Sequence, residues 1–536
     1  MSKTITNKKK GGAKKALAIV AAILAVVIVG GVVLTYNIID SGFIQRNQVA
    51  VSSENYEVTS AMMTYYFNSL YQNYASSAGS MLQSMGLDTA KSLKDQQYTK
   101  EQTWYDYFMD TAKAQVQNLL ILAEAAKAEG FTNKDSAETI DETLATMESV
   151  AKTYGVTLDY YIGAVYGSSV NEDVLRQCME LSELASAYSQ KMVDGYEYDK
   201  ADWDEYYKEN EKSFNKVNYL SYTFEVKKQE VKKDATDDEK AAAAALDKAE
   251  AERLLKEANT LAATTDEKAF KTYVESYLRN DLYKGKTEED LKKDKVDIAD
   301  IVEKTLTEGA TNSADNDLNK WLFDKERKAF ETHVEKDEKA LKYTAYMILP
   351  AADSDLGLAC IYRDAYALKD YRYIPFLASE YKNSDKDAKA AAEKVLEEYK
   401  ETATEDKFIA LADPEKGYGD GNYEGGLVEG ADKTTIAAEI GTWAYDSARK
   451  EGDVELVKVE GKGYYFVYFC GDNEVKWHLQ ADNALIDEQY SADIVKLEKT
   501  YTVKAYSKGL GLVEAITLGG SSSSTETHSA NDGHNH

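Results

Sequence analysis

The spacing of apolar residues predicts helices over the first part of the chain. Between residues 55 and 212, apolar side chains recur every three or four positions, which is typical of helices that bury one face. The best defined of these helices is predicted from Tyr98 to Gly130, where Thr99 and Gln102 form a capping box and Gly130 ends the helix. We therefore expect a helical domain at 50–212.

The pattern then changes to strands that alternate with helices rich in Ala, Lys and Glu, and this order occurs twice. Segments with strand composition begin at Val217 and again at Tyr371. Within the two copies, WLFDKERK from Trp321 matches WAYDSARK from Trp443, and each match precedes a Tyr-rich strand by about 20 residues. An internal repeat of this kind predicts two related modules, each a small α+β sheet domain.

Each copy of the Trp-containing motif also places an acidic residue three positions before an arginine. Asp324 with Arg327, and Asp446 with Arg449, have the spacing of a helical ion pair. The motif either presents a ligand-binding helix or fixes a helix to the sheet. We expect the structural role, because ion pairs of this kind are common on exposed helices.

The N-terminus has the composition of a membrane anchor. Six lysines within residues 1–15 precede an uncharged segment at 16–39, which is long enough for the roughly 20 helical residues that span a bilayer core. Because the lysines stay in the cytoplasm, the bulk of the chain is predicted to be extracellular, after a single pass through the cell membrane. The alternative is a cleaved signal peptide, but no small-x-small site follows the apolar segment.

The acidic composition of the chain limits the classes of partner that it can bind. The 536 residues include 64 Lys and Arg against 93 Asp and Glu, a net charge of −29 at pH 7, and the part beyond the predicted anchor is more acidic still. Such a surface repels nucleic acid and anionic lipid, so no nucleic-acid partner is expected. The 40 tyrosines combine apolar area with a hydroxyl group, which suits contact surfaces.

No sequence motif indicates a cofactor or a metal, and we expect neither. The chain has no GxSxG, HExxH or P-loop motif and no GxGxxG after a strand. Its three cysteines are far apart, and Cys178 falls on an apolar helical stripe, which favours core packing over a disulfide or a thiolate site. The His-containing tail at 516–536 is rich in Gly and Ser, and this composition predicts disorder.

Several short segments carry motifs of a known type. The helical part contains the helix and its C-terminal turn at 104–132 and the sequence YGSSVNEDVLR at 166–176. The second module contains YRYI at 371–374, the glycine pair of GGL at 425–427 and GYYF at 463–466. Together these segments resemble the PrsA/SurA family of extracytoplasmic folding factors, which join a helical chaperone domain to parvulin-type peptidyl-prolyl isomerase modules.

The resemblance implies a proline pocket in which both histidines are replaced. The family has V-R-H-I as its opening strand and G-Y-H-I as its closing strand, and this chain has Tyr373 and Tyr465 at the two histidine positions. Gly425 and Gly426 match the Gly-Gly turn of the family and are further candidate pocket positions. We expect no useful isomerase activity from either module, although the second retains the better chance.

The first module carries a weaker version of the same positions. Its equivalent tyrosines are Tyr219 and Tyr346, and it has no Gly-Gly turn. Before the tail, the predicted extracellular part has only His333 and His478, and neither falls in a matching strand. No catalytic residue is therefore assigned.

The resemblance implies a membrane-anchored foldase or chaperone. Its expected partners are unfolded or partly folded secreted polypeptides, together with the membrane that holds the N-terminal helix. Two alternatives stay open: an active peptidyl-prolyl cis-trans isomerase that works through the second module, and a non-enzymatic surface scaffold or adhesin.

The expected fold class is α+β and predominantly helical, with two parvulin-like modules inside a helical domain. The predicted segments in chain order are a cytoplasmic basic segment at 1–15, a transmembrane anchor at 16–39, a SurA-like helical domain at 50–212 that is completed by a C-terminal helix at 477–510, a first module at 213–350, a second module at 369–474 and a disordered tail at 516–536.

Overall fold

The computed structural model of the chain describes residues 42–519, with gaps at residues 83, 135, 353, 416 and 434–436. About 52% of it is helical, and the strands of the described residues form three small antiparallel sheets. The predicted α+β class is therefore confirmed. The predicted anchor at 16–39 and residues 520–536 of the tail lie outside the described residues. Among the helices that are described, none is both long and apolar enough to cross a membrane.

The chain divides into two compact units. The first, here called the helical unit, contains the described residues up to Glu197 and those from Ile486 onwards. The second, here called the sheet unit, runs from Tyr198 to Leu485. The sheet unit is therefore an insertion into the sequence of the helical unit.

The helical unit begins with short strands and long helices. Its N-terminal elements are α1 (Phe43–Asn47), β1 (Val49–Ser52), β2 (Glu57–Thr59), α2 (Ser60–Ala78), α3 (Trp104–Ala128), α4 (Ser136–Thr153), α5 (Leu158–Tyr166) and α6 (Glu172–Asp194). Trp104, Phe108 and Val116 form a fully buried stripe on α3, and the Phe108 ring centroid lies 5.2 Å from that of Tyr71 on α2. Cys178 on α6 is also fully buried, which confirms its predicted place in the core.

The start of α3 differs from the prediction. Thr103, rather than Thr99, caps this helix: its hydroxyl accepts a hydrogen bond from the N–H of Asp106 at 3.2 Å, and the Asp106 carboxylate accepts from the N–H of Thr103 at 3.0 Å. This reciprocal pair satisfies two donors at the helix start. A bridge between Gln97 and Thr103 folds the preceding residues into a turn, so the helix cannot begin at residue 98. Gly130 follows the helix end with φ 65°, as predicted.

The sheet unit contains two sheets with their own helices. The first set consists of α7 (Lys200–Glu209), α8 (Glu211–Phe214), β3 (Lys216–Glu225), α9 (Asp237–Leu261), α10 (Glu267–Tyr277), α11 (Glu288–Lys293), α12 (Ile298–Glu303), β4 (Leu306–Thr311), α13 (Asp317–Leu322), β5 (Thr332–Asp337), β6 (Lys342–Ile348) and β7 (Ile361–Tyr362). The second set consists of β8 (Ala367–Leu377), α14 (Asp385–Lys400), α15 (Glu405–Leu411), β9 (Leu427–Ala431), α16 (Ala438–Ala444), β10 (Val454–Val459) and β11 (Gly463–Val475).

The two sheets share one strand order and one placement of helices. The order is β4-β3-β6-β5 in the first sheet, where β7 adds a short pairing with β3, and β9-β8-β11-β10 in the second. In each sheet, the two helices that follow the opening strand cover one face, and a single short helix packs on the opposite face. The repeat seen in the sequence thus corresponds to two copies of one arrangement, while the boundaries 213–350 and 369–474 stay predictions.

The last segment of the chain returns to the helical unit. Its elements are the end of α17 (Lys476–Thr500), β12 (Lys504–Ala505) and α18 (Ser507–Leu510). β12 pairs with β1, and the Ser60 hydroxyl donates to the carbonyl oxygen of Gly509 at 2.8 Å. Ile494 and Leu497 of α17 pack in a cluster with apolar residues of α3 and α6. Described residues from before and after the sheet unit therefore build one core.

A network of charges connects the two sheets inside the sheet unit. Asp364, which is 7% exposed, lies 2.6 Å from Lys216 of β3 and 2.9 Å from Lys476 at the start of α17. Lys476 also contacts Asp432 at 2.7 Å. Burial alone would raise the pKa of Asp364, but the hydrogen bonds and charges of the two lysines outweigh burial and hold this pKa below its ordinary value.

We expect Asp364→Asn to lower the free energy of unfolding of the sheet unit by roughly 2–4 kcal/mol, because two partly buried lysines would lose their shared carboxylate. The folded-state pKa of Asp364 is depressed, so its stabilisation is present above the ordinary carboxyl pKa and is lost as the pH falls below about 4. Urea unfolding of the full chain at several pH values measures both effects.

The control for this experiment is Asp300→Asn, which removes an exposed ion pair with Lys304 in the same unit. Its effect should stay within about 1 kcal/mol. Equal losses from the two variants would contradict a special role for Asp364.

Candidate functional site

The two candidate tyrosines of the second sheet lie side by side. Tyr373 on β8 is opposite Val467 on β11, and Tyr465 is opposite Pro375, so the two phenols are diagonal neighbours on one face. Their ring centroids are 5.8 Å apart. Tyr373 is 6% exposed and Tyr465 is 7% exposed. The structure therefore brings together the two positions that the resemblance assigns to the histidines of a proline pocket.

The glycine pair packs closely against the opening strand of this sheet. Gly425 and Gly426 have φ values of 57° and 70°, a region that favours glycine. A Cβ on Gly426 would lie 2.4 Å from the carbonyl oxygen of Tyr373. Arg372 donates from Nη1 to the carbonyl oxygen of Gly425 at 3.0 Å and from Nε to Glu405 at 2.9 Å. These contacts hold the turn beside the tyrosine pair.

An aspartate that the sequence analysis did not single out engages this pair. The hydroxyl of Tyr373 donates to Oδ2 of Asp420 at 3.1 Å, and the ring centroid of Tyr423 lies 5.8 Å from that of Tyr373. Burial, and then the charge of Asp420, raises the pKa of both Tyr373 and Tyr465 above the ordinary value. Both phenols therefore stay protonated at neutral pH, where they donate hydrogen bonds but do not act as bases.

The first sheet contains an equivalent pair in the same register. Tyr219 is opposite Ile348, and Tyr346 is opposite Ser221, which reproduces the diagonal of the second sheet. The ring centroids of the two tyrosines are 5.9 Å apart. The hydroxyl of Tyr346 donates to Glu335 at 3.0 Å. Each tyrosine of the first sheet therefore has a counterpart in the second, and in both sheets one hydroxyl is bound to a carboxylate.

One histidine joins the aromatic face of the first sheet, although the sequence analysis placed it in no matching strand. His333 on β5 is opposite Tyr346, and its ring centroid lies 5.2 Å from that of Trp321 and 6.3 Å from that of Tyr346, nearly parallel to both. In the second sheet the corresponding residue, opposite Tyr465, is Val457. The tight turn between β5 and β6 was the available signal, because a hairpin around it pairs residues 333 and 346.

The Trp-containing motif has the same structural role in both copies. The guanidinium of Arg327 lies 5.6 Å from the ring centre of Trp321, and that of Arg449 lies 4.2 Å from Trp443. Both indoles pack against apolar residues of their own sheet. The motif therefore fixes a short helix to the sheet, with a cation–π contact on the indole.

The ion pairs predicted for this motif form in one copy only. Asp324 contacts Arg327 at 3.0 Å, which confirms the first pair, although both residues lie in the turn after α13 and not on a helix as predicted. The second pair was wrong: the Asp446 carboxylate accepts from the backbone N–H of Ala448 at 2.9 Å, and Arg449 donates to a backbone carbonyl instead. Asp324 accepts the equivalent backbone bond from Glu326 at 2.9 Å and still pairs with its arginine. The difference lies with Arg449, which donates to the carbonyl oxygen of Trp443 and lies 3.8 Å from Asp453 and Glu455.

Neither a metal-binding group nor a match to a known protein assigns a function to these two faces. Among the residues that the structure describes, no group of three or more His, Cys, Asp or Glu side chains is placed to hold a metal ion. His478 lies on α17 with its Nδ1 at 2.7 Å from Glu474, outside both sheets. Among known proteins, the chain matches no protein-family model and no curated protein.

Gly426→Ala should lower the free energy of unfolding of the sheet unit by about 2–4 kcal/mol, because the new Cβ has both an unfavourable φ and a clash with backbone. Gly461→Ala is the matched control, since its φ is 72° and no atom lies within 4 Å of the added Cβ. The control should lose only about 1 kcal/mol. Urea unfolding of the two full-length variants compares them, and equal losses would show that the glycine pair is not packed against β8.

Proposed function

We propose that this chain is a membrane-anchored, extracytoplasmic foldase or holdase that keeps secreted polypeptides from aggregating. One observation carries the proposal: both modules repeat a tyrosine pair in the same register, on the face where the resemblance implies a proline pocket. Aromatic and aliphatic surfaces accept many sequences, because they rely on contact area more than on matched polar groups. Three of the four tyrosines are themselves buried, so an unfolded segment would contact the exposed edge of the face, where Tyr423 beside Tyr373 is 41% exposed.

The chemistry of the tyrosine pairs argues against proline isomerisation. Rotation about a peptide bond crosses a barrier of about 18–20 kcal/mol, which a catalyst lowers by stabilising the twisted amide with polar groups. The Tyr373 hydroxyl already donates a hydrogen bond to Asp420, and the Tyr346 hydroxyl donates one to Glu335. In each module, therefore, one of the two hydroxyl groups is engaged by a carboxylate instead of being directed at a substrate.

The predicted location of the chain agrees with this activity. An anchor at 16–39 would hold the protein beside polypeptides that emerge from the membrane. Its net charge of −29 limits self-association and favours basic clients.

The full chain, reconstituted in nanodiscs, should suppress the aggregation of several unrelated denatured proteins at near-stoichiometric amounts. Light scattering during dilution from denaturant measures this, with empty nanodiscs as the control. If the chain suppresses the aggregation of none of these proteins but binds one folded protein tightly, the result favours the scaffold alternative and contradicts the proposal.

The same preparation should leave an Xaa-Pro peptide to isomerise at its uncatalysed rate, over tens to hundreds of seconds at 25 °C. A protease-coupled peptide assay measures this rate. If the wild-type chain accelerates it, and Tyr373→Phe with Tyr465→Phe abolishes the acceleration, the second module is an active isomerase and this part of the proposal is wrong.

A further inference from the structure

A cleft in the helical unit belongs to neither tyrosine face. It has a volume of about 350 Å³ and lies between strand β2 and helix α6. Met62 and Leu181, which are 4% and 7% exposed, form its floor, and the half-buried Leu184 extends it. Ligand sites of proteins have volumes of about 300–1,000 Å³ and apolar walls, so this cleft is large enough for one or two apolar side chains.

The backbone beside the cleft is suited to an extended partner. The strand order β12-β1-β2 places β2 at the edge of its sheet, and Glu57, the first residue of β2, lines the cleft. Edge strands present N–H and C=O groups with which another chain can pair. A segment that pairs along β2 would place alternate side chains next to the apolar floor, as in β-strand addition.

The rim of the cleft is acidic. Glu57 and Glu180 are exposed, and neither carboxylate forms a salt bridge with another described residue. Arg176, on the same helix as Glu180, is paired with Asp141 at 2.7 Å and has only a longer-range charge interaction with Glu180. The described lining residues include no Lys, Arg or His. The rim therefore attracts a basic partner and disfavours an acidic one.

The wall of the cleft also contains an aromatic ring that accepts a cation. Tyr56 lines the cleft, and Nζ of Lys127 lies 5.7 Å from the centre of its ring. Lys127 is held there by a 2.8 Å hydrogen bond to Asn55. The ring is therefore already in contact with a cation of the chain itself, and the attraction of a basic partner rests on Glu57 and Glu180.

We propose that this cleft binds an extended segment of a client polypeptide in which apolar residues are flanked by Lys or Arg. The apolar side chains enter the space above Met62 and Leu181, the backbone pairs with β2, and the flanking cations meet Glu57 and Glu180. The inference rests on the proposed function for the identity of the partner, and it specifies the sequence class that the helical unit selects.

The test uses the full chain in phosphatidylcholine nanodiscs, which carry no net lipid charge. Two fluorescent nonapeptides serve as probes: Lys-Lys-Thr-Leu-Phe-Val-Thr-Lys-Lys, and the same peptide with Glu at the four Lys positions. Fluorescence anisotropy should show at least about tenfold tighter binding of the lysine peptide, and added salt should reduce this difference.

The double variant Glu57→Lys with Glu180→Lys should weaken the binding of the lysine peptide by about tenfold and strengthen the binding of the glutamate peptide. The matched control is Glu101→Lys with Glu142→Lys, which changes the net charge equally at two exposed positions of the same unit. If both double variants weaken the binding of the lysine peptide to the same extent, the overall charge of the chain causes the effect, and the cleft is not the binding site.

A second measurement locates the bound peptide directly. A benzoylphenylalanine in place of the peptide Phe should cross-link to the floor of the cleft, within α6 or at the start of α2. Cross-links confined to the sheet unit would overturn the inference.

The outcomes separate this inference from the proposed function. Suppression of aggregation without preferential binding of the lysine peptide at the cleft refutes the cleft and leaves the chaperone proposal intact. Binding that responds to the rim variants, without suppression of aggregation, supports the cleft and refutes the chaperone role.

Discussion

The antiparallel register between the opening and closing strands of each sheet decides where the candidate site lies. Side chains alternate between the two faces of a strand, so a shift of one residue in β8 or β11 would move a tyrosine to the opposite face, which α14 and α15 cover. Tyr373 and Tyr465 share a face because the register is constant from Gly463 to Phe469 of β11, before the shifts nearer the end of the strand. The same register in β3 and β6 unites Tyr219 with Tyr346. In both sheets, therefore, the hydrogen-bonded pairing of the strands places the two tyrosines on one face.

Local patterns predicted much of the fold and part of the candidate site. The helical period, the strand composition and the repeated Trp motif indicated an α+β chain with two similar sheets. The tyrosines at 373 and 465 were found because each lies in a short motif that resembles a family pattern. The contacts that were not predicted, those of His333 with Tyr346 and of Asp420 with Tyr373, join separate segments of the chain. Such contacts have no periodic signature, so only the three-dimensional arrangement shows them.

The errors at two helix ends have a common physical origin. Near α3, Thr103 and Thr99 are both able to cap a helix, and a turn formed by the preceding residues selects Thr103. Near Asp446, the carbonyl oxygen of Trp443 and the carboxylates of Asp453 and Glu455 compete with Asp446 for Arg449. In each case more than one local partner of similar strength was available. The surrounding chain, which a short sequence window does not include, decides between them.

The pairing of β12 with β1 affects the order in which the two units can fold during synthesis. The contact between Ser60 and Gly509 spans 449 positions of sequence, so the helical unit gains its last strand only when synthesis is almost finished. The sheet unit, whose strands all precede residue 476, is fully synthesised earlier. Domains generally fold as they emerge, and the unit that starts first here is completed last. A prematurely terminated chain therefore leaves one edge of β1 without its partner strand.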